Sequence, residues 1–166
     1  MGAQVPQAVS VLIAYTAKHP LTIAGAPPDA EWIYVGEDFQ DYWRVLASFW
    51  ARGDDLTVIE HDVVCRPDVV EGFASCPEPW CLHRYSNHDP GDSEAWRNAL
   101  GCTRFRRELV RAVPAAVSSI PEQHRDWHNV CDGIGANLRA GRFTHHWHEG
   151  TVLHHVMSLD ALEIGG

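Results

Sequence analysis

The segment Val9-Ser10-Val11-Leu12-Ile13-Ala14-Tyr15 is a continuous run of apolar and β-branched residues. A run of this kind, without regular polar positions, is typical of a β-strand that is covered on both faces. A second run, Leu56-Thr57-Val58-Ile59, has the same character and leads directly into Glu60-His61-Asp62. Both segments therefore predict buried strands like those of parallel sheets.

Helical patterns alternate with these strands. Apolar spacing and flanking Pro or Gly residues predict helices at 41–52, 67–76, 103–113 and 126–139. Further strands are predicted at 32–35, 80–85 and 143–147, and loops at 20–28 and 87–93. This alternation predicts an α/β fold, a single-domain three-layer sandwich with a mostly parallel central sheet. The domain is expected to span residues 1–166, with its core at about 9–155.

Composition limits the classes of function. The 166 residues are 45% hydrophobic, which is enough for one core, and carry a formal charge of −9. That charge argues against a non-specific nucleic-acid coat, unless a local basic face at Arg104, Arg106, Arg107 and Arg111 serves that purpose. The longest apolar run is too short to span a bilayer. Five cysteines without a CxxC pair indicate reduced thiols, so a cytoplasmic location is expected.

Two acidic residues stand where the strand at 56–59 ends. If the strand continues, Glu60 and Asp62 point to the same side, at the carboxyl end of a buried sheet, where open α/β folds bind ligands. Two carboxylates there suit a hard cation such as Mg²⁺ or Mn²⁺ bound to phosphates. The alternative interpretation is an ordinary acidic loop.

Histidines are concentrated towards the carboxyl end. Five of the eleven histidines lie between positions 145 and 155, and on a strand His146 and His148 face the same way. Neutral imidazole is the commonest metal ligand, so one or two of these residues are candidate ligands. The others are expected to pack against Trp147 or to face solvent.

Asp132 is a candidate general base. It follows Cys131 within the predicted helix at 126–139, and a carboxylate there is suited to take a proton from a substrate hydroxyl. The alternative role is capping of a helix start. No dinucleotide fingerprint and no GxSxG motif is present in the sequence.

In their order along the chain, these segments resemble a small GT-A-type glycosyltransferase, a nucleotide-diphospho-sugar transferase that uses a divalent cation. Glu60-His61-Asp62 is similar to the acid-x-acid motif of that family. Gly101-Cys102-Thr103-Arg104-Phe105 is similar to the segment beside the donor sugar and the acceptor, and Cys131-Asp132 to the acidic pair near the acceptor. The similarity covers about residues 9–155.

The resemblance implies a role for each segment. The donor nucleotide would contact Ala14, Tyr15, Thr16, Glu60 and His61. Asp62, with the late histidines His148 and His155, would hold Mn²⁺ or Mg²⁺. The donor sugar or the acceptor would contact Gly101, Cys102 and Arg104. Asp132 would accept the proton of the acceptor hydroxyl.

The expected function is therefore metal-dependent transfer of a sugar from a nucleotide-diphosphate donor, expected to be a UDP-sugar, to a hydroxyl acceptor. Protein, glycan, small-molecule and modified nucleic-acid acceptors all stay open. One alternative is a module that binds a nucleotide sugar without transferring it. The other is a metal-dependent phosphohydrolase that uses the same carboxylates and histidines.

Overall fold

The computed structural model describes residues 10–86 and 100–154, and the strands within them form one seven-stranded sheet. The strands are β1 (Ser10–Tyr15), β2 (Glu31–Tyr34), β3 (Leu56–Glu60), β4 (Val63–Val64), β5 (Trp80–Ser86), β6 (Cys102–Phe105) and β7 (His146–His154). The helices are α1 (Pro20–Gly25), α2 (Asp41–Trp50), α3 (Pro67–Ser75), α4 (Arg107–Ala112) and α5 (Trp127–Ala140). A single 3-10 turn, Glu122–His124, precedes α5.

The strand order across the sheet is β2-β1-β3-β6-β5-β7-β4. β1 is parallel to β2 and β3, and β5 is parallel to β7, whereas β6 and β4 are antiparallel to their neighbours. Five of the seven strands therefore run in one direction. This confirms the predicted α/β class and brings several strand carboxyl ends to one edge of the sheet.

Both faces of the sheet are covered, as the continuous apolar runs predict. In β1, Leu12 and Ala14 join the larger hydrophobic cluster, which includes the buried faces of α2, α4 and α5. Val11 and Ile13 point the other way, into a smaller cluster with α3. All four side chains are at most 3% exposed, so the strand exposes almost no apolar area to water.

The helices α2 and α5 lie within one or two residues of their predicted bounds. The carboxylate of Asp126 accepts hydrogen bonds from the backbone N–H groups of His128 and Asn129, which fixes the start of α5. The predicted loop at 20–28 contains the short helix α1. The predicted loop at 87–93 lies outside the described residues.

The prediction of one helix over 103–113 is wrong in its first half. Cys102–Phe105 is instead β6, which pairs with β3 on one side and β5 on the other, and the helix begins only at Arg107. Every residue of β6 is buried, so packing between two strands outweighs the local helical pattern. The last strand also differs, because it begins at His146 and continues to His154.

The expected basic face of that helix is used for internal contacts. Arg104 is 3% exposed, donates hydrogen bonds to carbonyls at the end of α3, and forms an ion pair with Asp55. Arg106 also donates hydrogen bonds to the carbonyl oxygen of Cys76, and Arg107 forms an ion pair with Asp55. Arg104 and Arg106 thereby connect the sheet to the end of α3. In the described part of the chain, no helix is long and apolar enough to span a membrane.

Candidate nucleotide and metal site

The acidic segment lies where the sequence predicts it, at the carboxyl end of a buried strand. β3 ends at Glu60, and His61 and Asp62 form the turn into β4. The backbone N–H of Glu60 donates to the carbonyl oxygen of Gly101 at 2.9 Å. Glu60 is 8% exposed, and its Oε1 accepts a hydrogen bond from the Tyr42 hydroxyl at 3.3 Å. The segment is therefore held by contacts to the neighbouring strand and to α2.

An aromatic pair stands next to this segment. The rings of Tyr42, in the first turn of α2, and Trp127, the first residue of α5, are stacked with centroids 4.2 Å apart. The imidazole of His61 meets the Trp127 ring edge-on at 5.6 Å. The stack thus connects the starts of two helices with Glu60 and His61.

The same aromatic pair lines a cleft of about 460 Å³. The cleft lies beyond the ends of β1 and β2, where Thr16 and Gly36 contribute to its wall. Its acidic side chains are Glu37, Asp38 and Asp126, and no Lys or Arg is among its described lining residues. Flat aromatic surface beside hydrogen-bond acceptors suits a ligand that has both a ring and hydroxyl groups.

The acidic walls of the cleft are held in place by local hydrogen bonds. The backbone N–H of Gln40 and the guanidinium of Arg44 bind Asp38, and they lower the pKa of its carboxyl group. The side-chain amide of Asn129, together with backbone N–H groups, lowers the pKa of Asp126. Both groups are therefore carboxylates near neutral pH.

The predicted base, Asp132, does not open a helix. Because Asp126 caps α5, Asp132 is the sixth residue of that helix, with an exposed side chain. Its neighbour Cys131 is buried, and burial together with the nearby Glu60 carboxylate raises the pKa of the thiol. Cys131 is therefore a neutral group at the position where the resembled family has an acid.

Three of the other predicted contact residues lie away from the cleft walls. Ala14 is 0% exposed and packs in the larger core cluster. The ring of Tyr15 packs edge-on against Trp32 and Tyr34, with centroids within 6 Å. Cys102 is fully buried in the smaller cluster, 3.7 Å from Cys65 between sulfur atoms. Of the first-strand segment, Thr16 alone is among the described lining residues of the cleft.

The side chain of Arg104 is buried and binds groups within the fold. Its guanidinium is enclosed between Asp55 and the carbonyl oxygen of Phe73, which lies 2.6 Å from Nη1. This burial does not fit the prediction that Arg104 contacts the donor sugar or the acceptor. The reason is that residues 103–105 belong to a central strand, whereas the sequence predicts a helix there. In this strand the side chain of Arg104 points inward.

The predicted metal ligands Asp62 and His148 lie near different ends of β7. Val63, the residue after Asp62, pairs with His154 at the end of β7. His148 lies six residues earlier on β7, but this strand is irregular in between. Trp147 pairs with Leu82 and Leu153 pairs with Ser86, so six residues of β7 span only four residues of β5, roughly 13 Å at about 3.3 Å per residue. That one ion binds both Asp62 and His148 stays a prediction. His155, the other predicted histidine ligand, lies outside the described residues.

His148 lies instead beside two cysteines that the sequence analysis did not select. Ligand atoms of Cys76, Cys81 and His148 all lie within 4.8 Å of one another, and we call these three residues the Cys-His cluster. Cys76 ends α3 and Cys81 lies in β5, next to β7. The signal that could have found the cluster is the spacing Cys76-x4-Cys81, which zinc sites use.

No protein-family model and no curated protein matches the chain. Comparison with solved structures does give matches. A197 from STIV is similar over 89% of this chain and 85% of its own, with 12% identity and a TM-score of 0.53. A protein described as a glucose-1-phosphate thymidylyltransferase from Bacillus anthracis, solved in complex with a sucrose, has 15% identity and a TM-score of 0.43. That match covers 75% of this chain and 58% of that chain. The similarity to A197 shows a common α/β fold.

Proposed function

We propose that this protein is a metal-dependent glycosyltransferase that uses a nucleotide-diphosphate sugar, with UDP-sugars as the expected donors. One observation carries the proposal. The acid-x-acid segment at the end of β3 lies against the Tyr42–Trp127 stack, and that stack lines a cleft at the ends of β1 and β2. This adjacency of acidic side chains and an aromatic surface supports the proposal, because a nucleotide diphosphate would use the first for its cation and the second for its base.

The nucleoside would occupy the cleft. The Trp127 ring offers a flat surface for the base, and aromatic stacking on a base contributes roughly 1–3 kcal/mol. Glu37, Asp38 and Asp126 are acceptors placed for ribose hydroxyl groups, which are donors. Thr16 would contact the same part of the donor, in agreement with its predicted role.

The carboxylates of Glu60 and Asp62, at and just after the end of β3, suit a hard divalent cation. Asp62 would bind it, assisted by Glu60, because carboxylate oxygens are the ligands preferred by Mg²⁺ and Mn²⁺. The buried Tyr42 hydroxyl orients Glu60 through the 3.3 Å hydrogen bond. The cation, when bound, would supply charge neutralisation on the leaving diphosphate.

Asp132 would accept the proton from the acceptor hydroxyl. Its side chain is exposed on α5 and it follows Cys131 in sequence. The pKa of the Cys131 thiol is raised by burial and by the nearby Glu60 carboxylate. A base at this point would be open to an acceptor, because the side chain of Asp132 is exposed. Gly101, whose carbonyl binds the backbone of Glu60, would border the donor sugar.

A second candidate function is supported by the chemistry of Cys131. The neutral thiol at a position where the resembled family has an acid favours a module that binds a nucleotide sugar without transferring it. This candidate shares the donor site with the first and differs in lacking turnover. Donor binding and turnover must therefore be measured separately.

Calorimetric titration of UDP into the full chain, with and without Mn²⁺, tests the donor site. We expect binding that requires Mn²⁺ and is lost in Asp62→Ala. Asp54→Ala is the matched control, because Asp54 is an exposed acid just before the opposite end of β3. Absence of binding by both UDP and GDP in the presence of Mn²⁺ would contradict the proposal.

Product analysis separates the functions that share this site. A transferase should hydrolyse a UDP-sugar slowly to UDP, and a hydroxyl acceptor should accelerate release of UDP. A binding module should bind the donor and release nothing. Release of phosphate from the nucleotide without any acceptor effect would instead support a phosphohydrolase.

A further inference from the structure

The Cys-His cluster lies on the face of the sheet that packs against α3. The Sγ atoms of Cys76 and Cys81 are 3.1 Å apart, with the Cys81 thiol donating. Both cysteines are at most 7% exposed, and His148 is half-buried. Three ligand atoms from the end of α3, from β5 and from β7 thus converge on one small space.

The sheet register brings two more imidazoles next to the ring of His148. β5 and β7 are parallel neighbours, and the Cα of Cys81 is paired with that of His146. The rings of His83 and His146 lie 5.0 and 5.2 Å from the ring of His148, measured between centroids. His83 and His146 are therefore candidates for a fourth ligand beside the three residues of the Cys-His cluster.

One ring nitrogen of His148 is buried and is satisfied by none of the described residues. The Nε2 atom is inaccessible to solvent and has no hydrogen-bond partner among the described residues. Burying such a group without a partner costs on the order of 1–3 kcal/mol, so proteins rarely leave one unsatisfied. A metal ion is a natural partner for a neutral imidazole nitrogen.

We propose that Cys76, Cys81 and His148 bind one Zn²⁺ ion, with His83 or His146 as the fourth ligand. Thiolate and imidazole ligands select zinc, and a spacing of four residues between cysteines is within the range of structural zinc sites. At a zinc–sulfur distance of about 2.3 Å, two thiolates on one tetrahedral ion lie roughly 3.8 Å apart. Small side-chain rotations from the observed 3.1 Å reach that separation.

The zinc would tie the end of α3 to two strands of the sheet. The phenyl ring of Phe73 closes the site on one side, 5.2 Å from the His148 ring. A closed set of four protein ligands serves stability, since it leaves no position for a substrate. The inference is independent of the proposed glycosyltransferase function, which uses oxygen ligands at the end of β3.

A second pair of cysteines provides an internal control. Cys65 and Cys102 lie on the same face of the sheet, both buried, with sulfur atoms 3.7 Å apart. Within the described residues, no third His, Cys, Asp or Glu completes a metal-binding group around them. In the described part of the chain, the Cys65–Cys102 pair therefore lacks the neighbouring histidine that the Cys-His cluster has.

Titration of the reduced, metal-free full chain with Co²⁺ and then Zn²⁺ tests the site. Co²⁺ reports thiolate ligands through a charge-transfer band in the near ultraviolet, and Zn²⁺ should displace it at one equivalent. Cys76→Ser and Cys81→Ser should lose the band, whereas Cys65→Ser should keep it. Zn²⁺ should also raise the melting temperature of the wild type and of Cys65→Ser.

His148→Gln keeps the test interpretable if a cysteine variant does not fold, because this side chain is half-buried and can be replaced with less disturbance. It should weaken zinc binding, and one of His83→Ala or His146→Ala should weaken it as well. The proposal is overturned if the reduced wild type shows no thiolate band or if Cys65→Ser loses the band equally. It is also overturned if neither His83→Ala nor His146→Ala changes the affinity, or if Cys76 and Cys81 form a disulfide in the native protein.

Discussion

The indole of Trp127 lies over the phenol of Tyr42, with ring centroids 4.2 Å apart and ring planes inclined by 21°. The two residues are far apart in sequence, at the starts of α2 and α5, and they meet only because both helices pack on one face of the sheet. The Tyr42 hydroxyl donates a hydrogen bond to Glu60, and the Trp127 ring contacts the imidazole of His61. A change at Trp127 should therefore affect the cleft and the acidic segment together.

Replacing Trp127 tests the cleft as the nucleoside site. Trp127→Ala should lower the affinity for UDP in the presence of Mn²⁺ by roughly 5- to 150-fold, because base stacking contributes roughly 1–3 kcal/mol and about 1.4 kcal/mol corresponds to tenfold. Trp127→Phe should restore most of the affinity. The measurement is calorimetric titration, with circular dichroism as the check of folding. Equal affinities in all three proteins would exclude stacking on Trp127.

Arg104→Met should strongly destabilise the protein. The substitution leaves Asp55 and the carbonyl oxygens at the end of α3 without the guanidinium, and breaking a buried ion pair typically costs about 3–5 kcal/mol. Urea unfolding followed by fluorescence measures the loss. Arg52→Met is the control, since its ion pair with Glu31 is 41% and 44% exposed and should contribute about 1 kcal/mol or less. Comparable losses in the two variants would refute the structural role of Arg104.

Asp55 should make stability depend on pH in the acid range. Burial favours the neutral acid, but hydrogen bonds from the Arg107 backbone N–H and from Arg104 outweigh it and lower the pKa of Asp55. A lowered pKa means that the stabilisation is complete above the unfolded-state pKa of about 3.9 and is lost as the pH falls through the folded-state pKa. Urea midpoints between neutral and acid pH should therefore fall less in Asp55→Asn than in the wild type.

Two helical glycines should respond oppositely to alanine. A Cβ at Gly25 would lie 2.6 Å from the backbone carbonyl oxygen of Cys65, so Gly25→Ala should cost about 1–3 kcal/mol. A Cβ at Gly72, inside α3, would have His148 as its nearest neighbour at 3.9 Å. Gly72→Ala should therefore gain up to about 1 kcal/mol from helix propensity. Thermal melts that rank the two variants in the reverse order would contradict this packing.

The elements that follow from local pattern could be predicted from the sequence. The apolar run in β1 and the helical spacing of α2 and α5 give the right structures because local preference and burial agree there. β6 could not be predicted, because its four buried residues are a strand only through pairing with β3 and β5. The inward position of Arg104 has the same cause.

The candidate site, like the fold, could be predicted from the sequence only in part. Glu60-His61-Asp62 could be placed at the end of a strand, because the acids directly follow an apolar run. The Tyr42–Trp127 stack depends on the packing of α2 against α5 and leaves no local sequence signal. For the Cys-His cluster, the cysteine spacing is visible in the sequence, but its pairing with His148 depends on the order of strands in the sheet.

The three carboxylates around the cleft affect the association rate of an anionic ligand. Glu37, Asp38 and Asp126 are part of a chain with a net charge of −9, so a free nucleotide diffuses toward a surface of its own sign. Salt screens this repulsion beyond about 10 Å at 0.1 M ionic strength, and association of the nucleotide should therefore become faster as salt is added. Encounter with a metal-neutralised nucleotide would be less sensitive to salt, because less charge has to be brought close to the protein.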